Sequence, residues 1–253
     1  MFVIPWEGAT IVGTTDIDHD PELDRIYHEP FVSGEEIDYM MEALSFIFPS
    51  LGLTESDIVS SFSGLRPVIH TGAASPSKES RAHALWEENG LITITGGKYT
   101  TFRVMSRQTI EKVLARIGRS KLMTHKPIFN PLPDLTSLTL DPPILAYLAG
   151  RYGNEMIQLL ATAKKGDLEP IEQLPNRWAE LRWAAREEGV ERLHDLLLRR
   201  VRLGLLLPRG GRDLLGHIRN IVQPELGWSD ERWQQEEAAY LKTWQSYYSP
   251  RPG

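Results

Sequence analysis

The sequence predicts an α+β region of antiparallel hairpins and helices, followed by an all-α region. Three observations predict it. β-like runs joined by glycine-containing turns come first, a proline-marked stretch ends at Leu138, and helical periodicity is nearly continuous beyond Asp141-Pro142. The 253 residues are 41% hydrophobic and 25% charged, which suits one large domain or two of modest size, each with a real core.

Phe2 to Trp6 and Thr10 to Thr14 read as strands joined through Glu7-Gly8-Ala9, a hairpin. Ser33-Gly34-Glu35-Glu36 is a capping-box start. Ile37, Met40, Met41, Leu44 and Phe48 then share one helical face until Pro49 stops the helix. Ile58 to Val68 is β-rich but broken by Gly64 and Pro67. His83 to Trp86 and Leu91 to Thr95 form two further strands, turning at Asn89-Gly90. Gly96-Gly97-Lys98 leads into a helix over 101–117, with Phe102, Met105, Thr109, Val113 and Ile117 as its buried stripe.

Residues 1–125 are expected to form the first domain, 126–138 a linker, and 139–253 the helical domain. Asp141-Pro142 is an N-cap with proline at the first helical position. Helices are expected over 142–149, 154–163, 176–188, 190–206, 212–222 and 230–247. Trp228, Trp233, Tyr240 and Trp244 are spaced as core aromatics.

The formal net charge of -6 argues against a general nucleic-acid binder, although a local basic cluster can still hold a small anion. Without cysteine there is no disulfide framework, thiolate nucleophile or sulfur-ligated metal. The seven histidines are scattered, and Thr14-Thr15-Asp16 lacks a ligand partner, so no metal site is expected. An Asx-type turn closing the hairpin is the plainer reading of Asp16. Phe2 to Trp6 is neither basic nor long enough for a signal peptide, and no window approaches the ~20 apolar residues of a spanning helix. The first residues already read as a strand, so the chain is expected to begin inside a fold.

The densest functional signal is Thr95-Gly96-Gly97-Lys98-Tyr99-Thr100-Thr101-Phe102-Arg103, between a strand and a helix. Glycines let backbone approach a flat or charged ligand, a helix N-terminus favours an anion, and Lys98 adds a full charge. A tight turn with a solvated lysine explains the same residues equally well. Ser63-Gly64-Leu65-Arg66-Pro67 and Ser80-Arg81-Ala82-His83 each offer a guanidinium fork suited to phosphate or carboxylate, or else an ordinary ion-paired arginine. His70 and His83 lie near these arginines and read as structural or exposed. Leu193, Leu196, Leu197, Val201 and Leu205 run beside Arg199, Arg200 and Arg202. That pattern suits a core helix with a solvated edge better than a membrane-surface helix.

In order, Phe2-Val3-Ile4-Pro5-Trp6, Ile11-Val12-Gly13-Thr14-Thr15-Asp16, the Arg66, Arg81 and Gly96-Gly97-Lys98 segments, Asp195 to Gly204 and Glu225-Leu226-Gly227-Trp228 make a pattern. It resembles the FAD-dependent glycerol-3-phosphate dehydrogenase and oxidase family over most of the chain. The resemblance implies a partial FAD- and substrate-binding domain followed by the family's carboxyl-terminal helical domain. It implies oxidation of sn-glycerol 3-phosphate to dihydroxyacetone phosphate, with FAD as cofactor and a membrane quinone as electron acceptor. Arg66 would be the catalytic residue beside substrate and flavin, and Arg66, Arg81 and Lys98 would bind substrate, Arg81 at the phosphate. Gly96, Gly97, Lys98, Thr100 and Thr101 would line the flavin. A cytoplasmic location with peripheral membrane contact, and a homo-oligomer, are compatible with it. No Gly-x-Gly-x-x-Gly dinucleotide turn occurs in the sequence, so the chain is expected to be incomplete and inactive alone. Oxygen as acceptor and a non-catalytic helical assembly module stay open as alternatives.

Overall fold

The structure is a computed structural model that describes residues 1–18, 29–66, 69, 82–119, 127–136 and 138–251. It divides into two compact units. One comprises Met1–Thr15, Tyr27–Gly64 and Asn130–Gly253; the other comprises Asp16–Ile26 and Leu65–Phe129. Small antiparallel sheets stand early in the chain and helices dominate its later part, the expected α+β and all-α order.

In the first unit, β1 (Phe2–Trp6) pairs antiparallel with β2 (Ala9–Gly13), Phe2 facing Gly13 and Trp6 facing Ala9. The turn is therefore two residues, Glu7 and Gly8, with φ of 48° and 88°, the doubly positive pattern that matches strand twist. Closing on Trp6 and Ala9 shifts the second strand one residue earlier than the sequence suggested. Helix α1 (Gly34–Ile47) starts at the expected capping box: Ser33 Oγ accepts from the Glu36 N–H at 3.2 Å, and Glu36 Oε2 accepts from the Ser33 N–H at 2.9 Å. Ile37 and Leu44 of the anticipated stripe are buried, Met40 and Met41 are half-buried, and Phe48 is exposed.

The β-rich reading of 58–68 is corrected. Residues 58–66 carry no strand, and 67–68 lie outside the described residues. The segment spends its polar groups on the helical body instead. The Ser61 N–H donates to the Tyr248 carbonyl at 2.9 Å, and Ser60 Oγ to the Leu205 carbonyl at 2.8 Å.

The helical part contains α3 (Pro142–Tyr152), α4 (Met156–Thr162), α5 (Trp178–Glu187), α6 (Leu203–Leu206), α7 (Leu215–Leu226) and α8 (Asp230–Tyr247). Pro142 occupies the first turn of α3, as expected. The single helix expected over 190–206 is instead a π-helical stretch, Asp195–Arg200, a left-handed Arg202 at φ 63°, and the short α6. Just past the break, Gly204 is closely packed. A Cβ there would stand 2.5 Å from Tyr240 Oη, and Trp244 Nε1 donates to the Gly204 carbonyl at 2.7 Å. Helix α8 is thus seated on backbone that only glycine leaves bare. The helix expected over 212–222 begins later and runs past Pro224, because residues 208–214 form 3₁₀ turns through left-handed Arg209, Gly210 and Gly211.

The main core sits here. Leu193, Leu196, Leu197 and Val201 are fully buried with Trp233 and Tyr240, so the apolar side of the arginine-rich stretch faces protein. Arg199 pairs with Asp195 at 3.2 Å, and Arg202 pairs with Glu7. Trp228, Trp233, Tyr240 and Trp244 are core residues as read.

Candidate functional site

In the second unit, β3 (His83–Glu88) pairs antiparallel with β4 (Leu91–Gly96), His83 facing Gly96. Asn89 and Gly90, at φ 50° and 87°, close the expected hairpin. The chain leaves β4 through Gly96 and Gly97, at φ 74° and 81°, a region side chains disfavour. Space agrees with conformation. A Cβ on Gly96 would meet the Ala82 carbonyl oxygen at 2.9 Å, and one on Gly97 would meet Met105 Sδ at 2.5 Å.

A 3₁₀ turn, Tyr99–Thr101, then feeds α2 (Phe102–Arg116). The Thr101 hydroxyl fixes this turn. It accepts from the Lys98 N–H at 3.1 Å and donates to the Lys98 carbonyl at 2.8 Å. The side chains of Lys98, Tyr99 and Thr100 are exposed. The structure therefore brings Gly96, Gly97, Lys98, Thr100 and Thr101 onto one turn, ties the Lys98 backbone to the Thr101 hydroxyl, and presents the lysine to solvent. The stripe expected on α2 is not buried. Met105 and Thr109 are half-buried, while Phe102, Val113 and Ile117 stand exposed.

Arg66 Nη1 donates to Asp16 Oδ2 at 2.7 Å, with both side chains nearly half exposed. This pairing replaces the Asx turn as the reading of Asp16, since the hairpin is closed by Glu7 and Gly8. An exposed pair of this kind contributes roughly 0–1 kcal/mol, so a stronger anion can compete for the guanidinium. The Nε2 of His83 shares a hydrogen bond with Gln108 Oε1, the structural role read for it. Arg81 and His70 lie outside the described residues.

A charged cluster that the sequence did not single out lies in the first unit. Glu7, at the hairpin turn, accepts from Arg151 Nη1 at 2.8 Å and from Arg202, whose guanidinium also covers the Trp6 ring at 5.3 Å. Arg151 Nε stands 3.2 Å from Glu180 Oε2, which also accepts from Tyr152 Oη at 2.8 Å and Tyr147 Oη at 3.2 Å. The Arg177 N–H donates to Glu180 Oε1 at 2.6 Å. Burial pushes the Glu180 carboxyl above its usual range, against the pull of Arg151 and these donors. Both Glu180 oxygens are so engaged, whereas Glu7 Oε2 and Arg202 Nε of the same cluster are buried without a hydrogen-bond partner. The i, i+4 spacing of Tyr147 and Arg151 on α3 was its only legible trace.

Among the described residues, no helix is long and apolar enough to cross a membrane. No three His, Asp or Glu side chains among them gather as metal ligands.

A sequence family described as the C-terminal domain of alpha-glycerophosphate oxidase matches residues 92–233, more than half of the chain. Glycerol-3-phosphate dehydrogenase of Mycobacterium leprae is 32% identical over 257 residues, covering 95% of this chain and 43% of that protein. Glycerol-3-phosphate dehydrogenase 2 of Mycobacterium tuberculosis is 33% identical with the same two coverages. The aerobic glycerol-3-phosphate dehydrogenase of Staphylococcus aureus is 28% identical over 223 residues, covering 79% and 39%. Among solved structures, glycerol-3-phosphate dehydrogenase from Bacillus halodurans, complexed with FAD, superposes with a TM-score of 0.70 at 25% identity, covering 95% of this chain and 50% of that one. The chain thus spans less than half the length of these curated relatives. By these matches, this chain belongs to the FAD-dependent glycerol-3-phosphate dehydrogenase family, within which it corresponds to the carboxyl-terminal portion.

Proposed function

We propose that the chain supplies the substrate-recognition and flavin-facing residues of an enzyme that oxidises sn-glycerol 3-phosphate to dihydroxyacetone phosphate. The observation that carries this reading is the turn after β4, where two glycines with no room for a side chain deliver an exposed Lys98 to the head of α2. The donor set suits an electron-rich ring, because an ammonium at a glycine-bared turn can lie against an anion without a Cβ between them. FAD, when bound, would accept the hydride from substrate C2. Lys98 would hold positive charge where negative charge develops. Arg66 would exchange Asp16 for the substrate, and Arg81 would orient the phosphate dianion. Thr101 would act by fixing the Lys98 backbone and Thr100 by lying close to the ring.

Quinone is the proposed electron acceptor, reached by peripheral contact with the cytoplasmic face of the inner membrane. A second reading, oxygen as acceptor, draws on the matched family's description as an oxidase domain. Oxygen uptake against quinone reduction separates the two.

The test joins this chain to the amino-terminal half of the Mycobacterium leprae relative, the part it does not match. Visible flavin absorbance and glycerol 3-phosphate oxidation are expected. In that protein, Arg81→Ala should weaken substrate binding by ~1.5–3 kcal/mol, the scale of a hydrogen bond to a charged group, and spare flavin content. Lys98→Ala should slow flavin reduction. Unchanged substrate affinity in the first variant, or an unchanged reduction rate in the second, removes that residue from the site.

A further inference from the structure

The residues that follow α8 turn back along the stretch of chain between α1 and Arg66. The Ser61 N–H donates to the Tyr248 carbonyl at 2.9 Å, and Ser61 Oγ donates to the Ser249 carbonyl at 2.6 Å. Six residues before Ser61, Glu55 accepts from Arg251 through both carboxylate oxygens, Oε2 from Nε at 2.7 Å and Oε1 from Nη2. The same Nη2 donates to Asp38 of α1 at 2.7 Å. Later residues of one stretch meet earlier residues of the other, so 248–251 lie antiparallel over 55–61 as a strap.

The strap is fitted to its seat. Gly34, the first residue of α1, leaves room for it, since a Cβ there would stand 2.9 Å from Arg251 Nη1. Ser249 is 4% exposed, and Tyr248 Oη donates to Glu29 Oε2 at 2.9 Å. The Arg251 hydrogen bond holds the Glu55 carboxyl below its usual range. Arg251 is 47% exposed, where a simple ion pair counts for little; a two-pronged fork shared between two carboxylates is stronger. Residues 55–61 need such a hold. Beyond the 3₁₀ turn Glu55–Asp57 they form neither helix nor strand, so no ladder of their own resists local opening. Arg66 stands five residues after Ser61. Five residues of chain span at most about 18 Å, so freedom at Ser61 becomes freedom at Arg66.

We infer that this strap positions the substrate arginine. Arg251 and Ser61 act through Arg66, setting how tightly glycerol 3-phosphate is held and leaving the hydride step alone. The inference rests on the flavoenzyme reading above.

Steady-state kinetics test it in this chain joined behind the amino-terminal half of the Mycobacterium leprae relative. Arg251→Met and Ser61→Ala should each raise KM for glycerol 3-phosphate about threefold, with kcat and flavin content unchanged. Amides of 58–64 should then exchange faster, while those of α8 do not. Glu55→Gln should match Arg251→Met, and the two together should do no more than either, because they break the same contact. A yellow, active protein whose KM ignores these changes overturns the strap's role and leaves the flavoenzyme reading standing, even if 58–64 exchanges faster. A lower kcat at constant KM means fewer folded molecules and overturns it as well. A joined protein with neither flavin nor glycerol 3-phosphate oxidation sinks the flavoenzyme reading and the inference together.

Discussion

The helical body and the β3–β4–α2 unit obey the same rules of patterning with opposite results. In the body, Leu193, Leu196, Leu197 and Val201 of its broken central stretch reach zero exposure, with Leu205 half-buried, and its buried charges are paired. In the other unit, an equally legible helical stripe finds cover along one edge only, and none of the described residues is buried. Amphipathic spacing therefore tells which side of an element wants a partner. It does not tell whether the same stretch of chain provides one.

The sharpest way to break this contrast is to attack the body at a buried charge. Arg182 Nε donates to Asp167 Oδ2 at 2.8 Å, and Arg182 also pairs with Glu225, its own side chain 5% exposed. Arg182→Met should cost about 3–5 kcal/mol, because it strands a buried carboxylate. Urea unfolding measures it, and a loss below about 1 kcal/mol would mean the network is solvated. Gly204→Ala comes next, at about 1–3 kcal/mol, since its new methyl must displace Tyr240 or the Leu198 side chain. A loss below about 0.5 kcal/mol by urea unfolding would mean that these neighbours give way freely.

Smaller again is a pH effect at Glu180. Its folded value is raised by burial, so between the unfolded and the folded value folding takes up a proton. The stabilisation is complete below the unfolded value and is lost as pH rises through the folded one. Glu180→Gln removes that titration, so the native chain's advantage over the variant should shrink with rising pH in thermal melts. An advantage that grows with pH would mean the carboxylate is charged when folded. The smallest effect belongs to the other unit. Val113→Ser should change stability of the isolated chain by less than about 0.5 kcal/mol, as surface substitutions do. A large loss there would erase the distinction between the two regions.

Much of the body was legible. The aromatics of α8, the Pro142 start of α3 and the capping box at Ser33 each have a local physical cause, and each stands where the sequence put it. The break at Arg202 has no local signal in the sequence, and the close packing of Gly204 depends on Tyr240 and Trp244, some forty residues later. The strand expected near Ile58 failed for a similar reason: β-favouring composition cannot say that serines will bond to helix-end carbonyls. At the candidate site, the glycine pair and its strand-to-helix setting were readable, since positive φ and crowding are local. The Asp16 partner of Arg66, 50 residues away, was not readable. Thr101 shows the limit most clearly. Its position beside the turn was foreseen, yet its hydroxyl serves the turn itself.

The Glu7 carboxylate gives the hairpin turn a hold on the helical body. It faces both Arg202 and Arg151, the latter also paired with Glu180, from a residue more than a hundred positions earlier in sequence. An excised fragment beginning at residue 139 would therefore leave Arg202 without Glu7 and Arg151 with Glu180 alone. Limited proteolysis should release no stable helical fragment of that kind until the first hairpin has detached. The smallest piece able to survive alone is set by where an early carboxylate lands, and it must keep the opening strands.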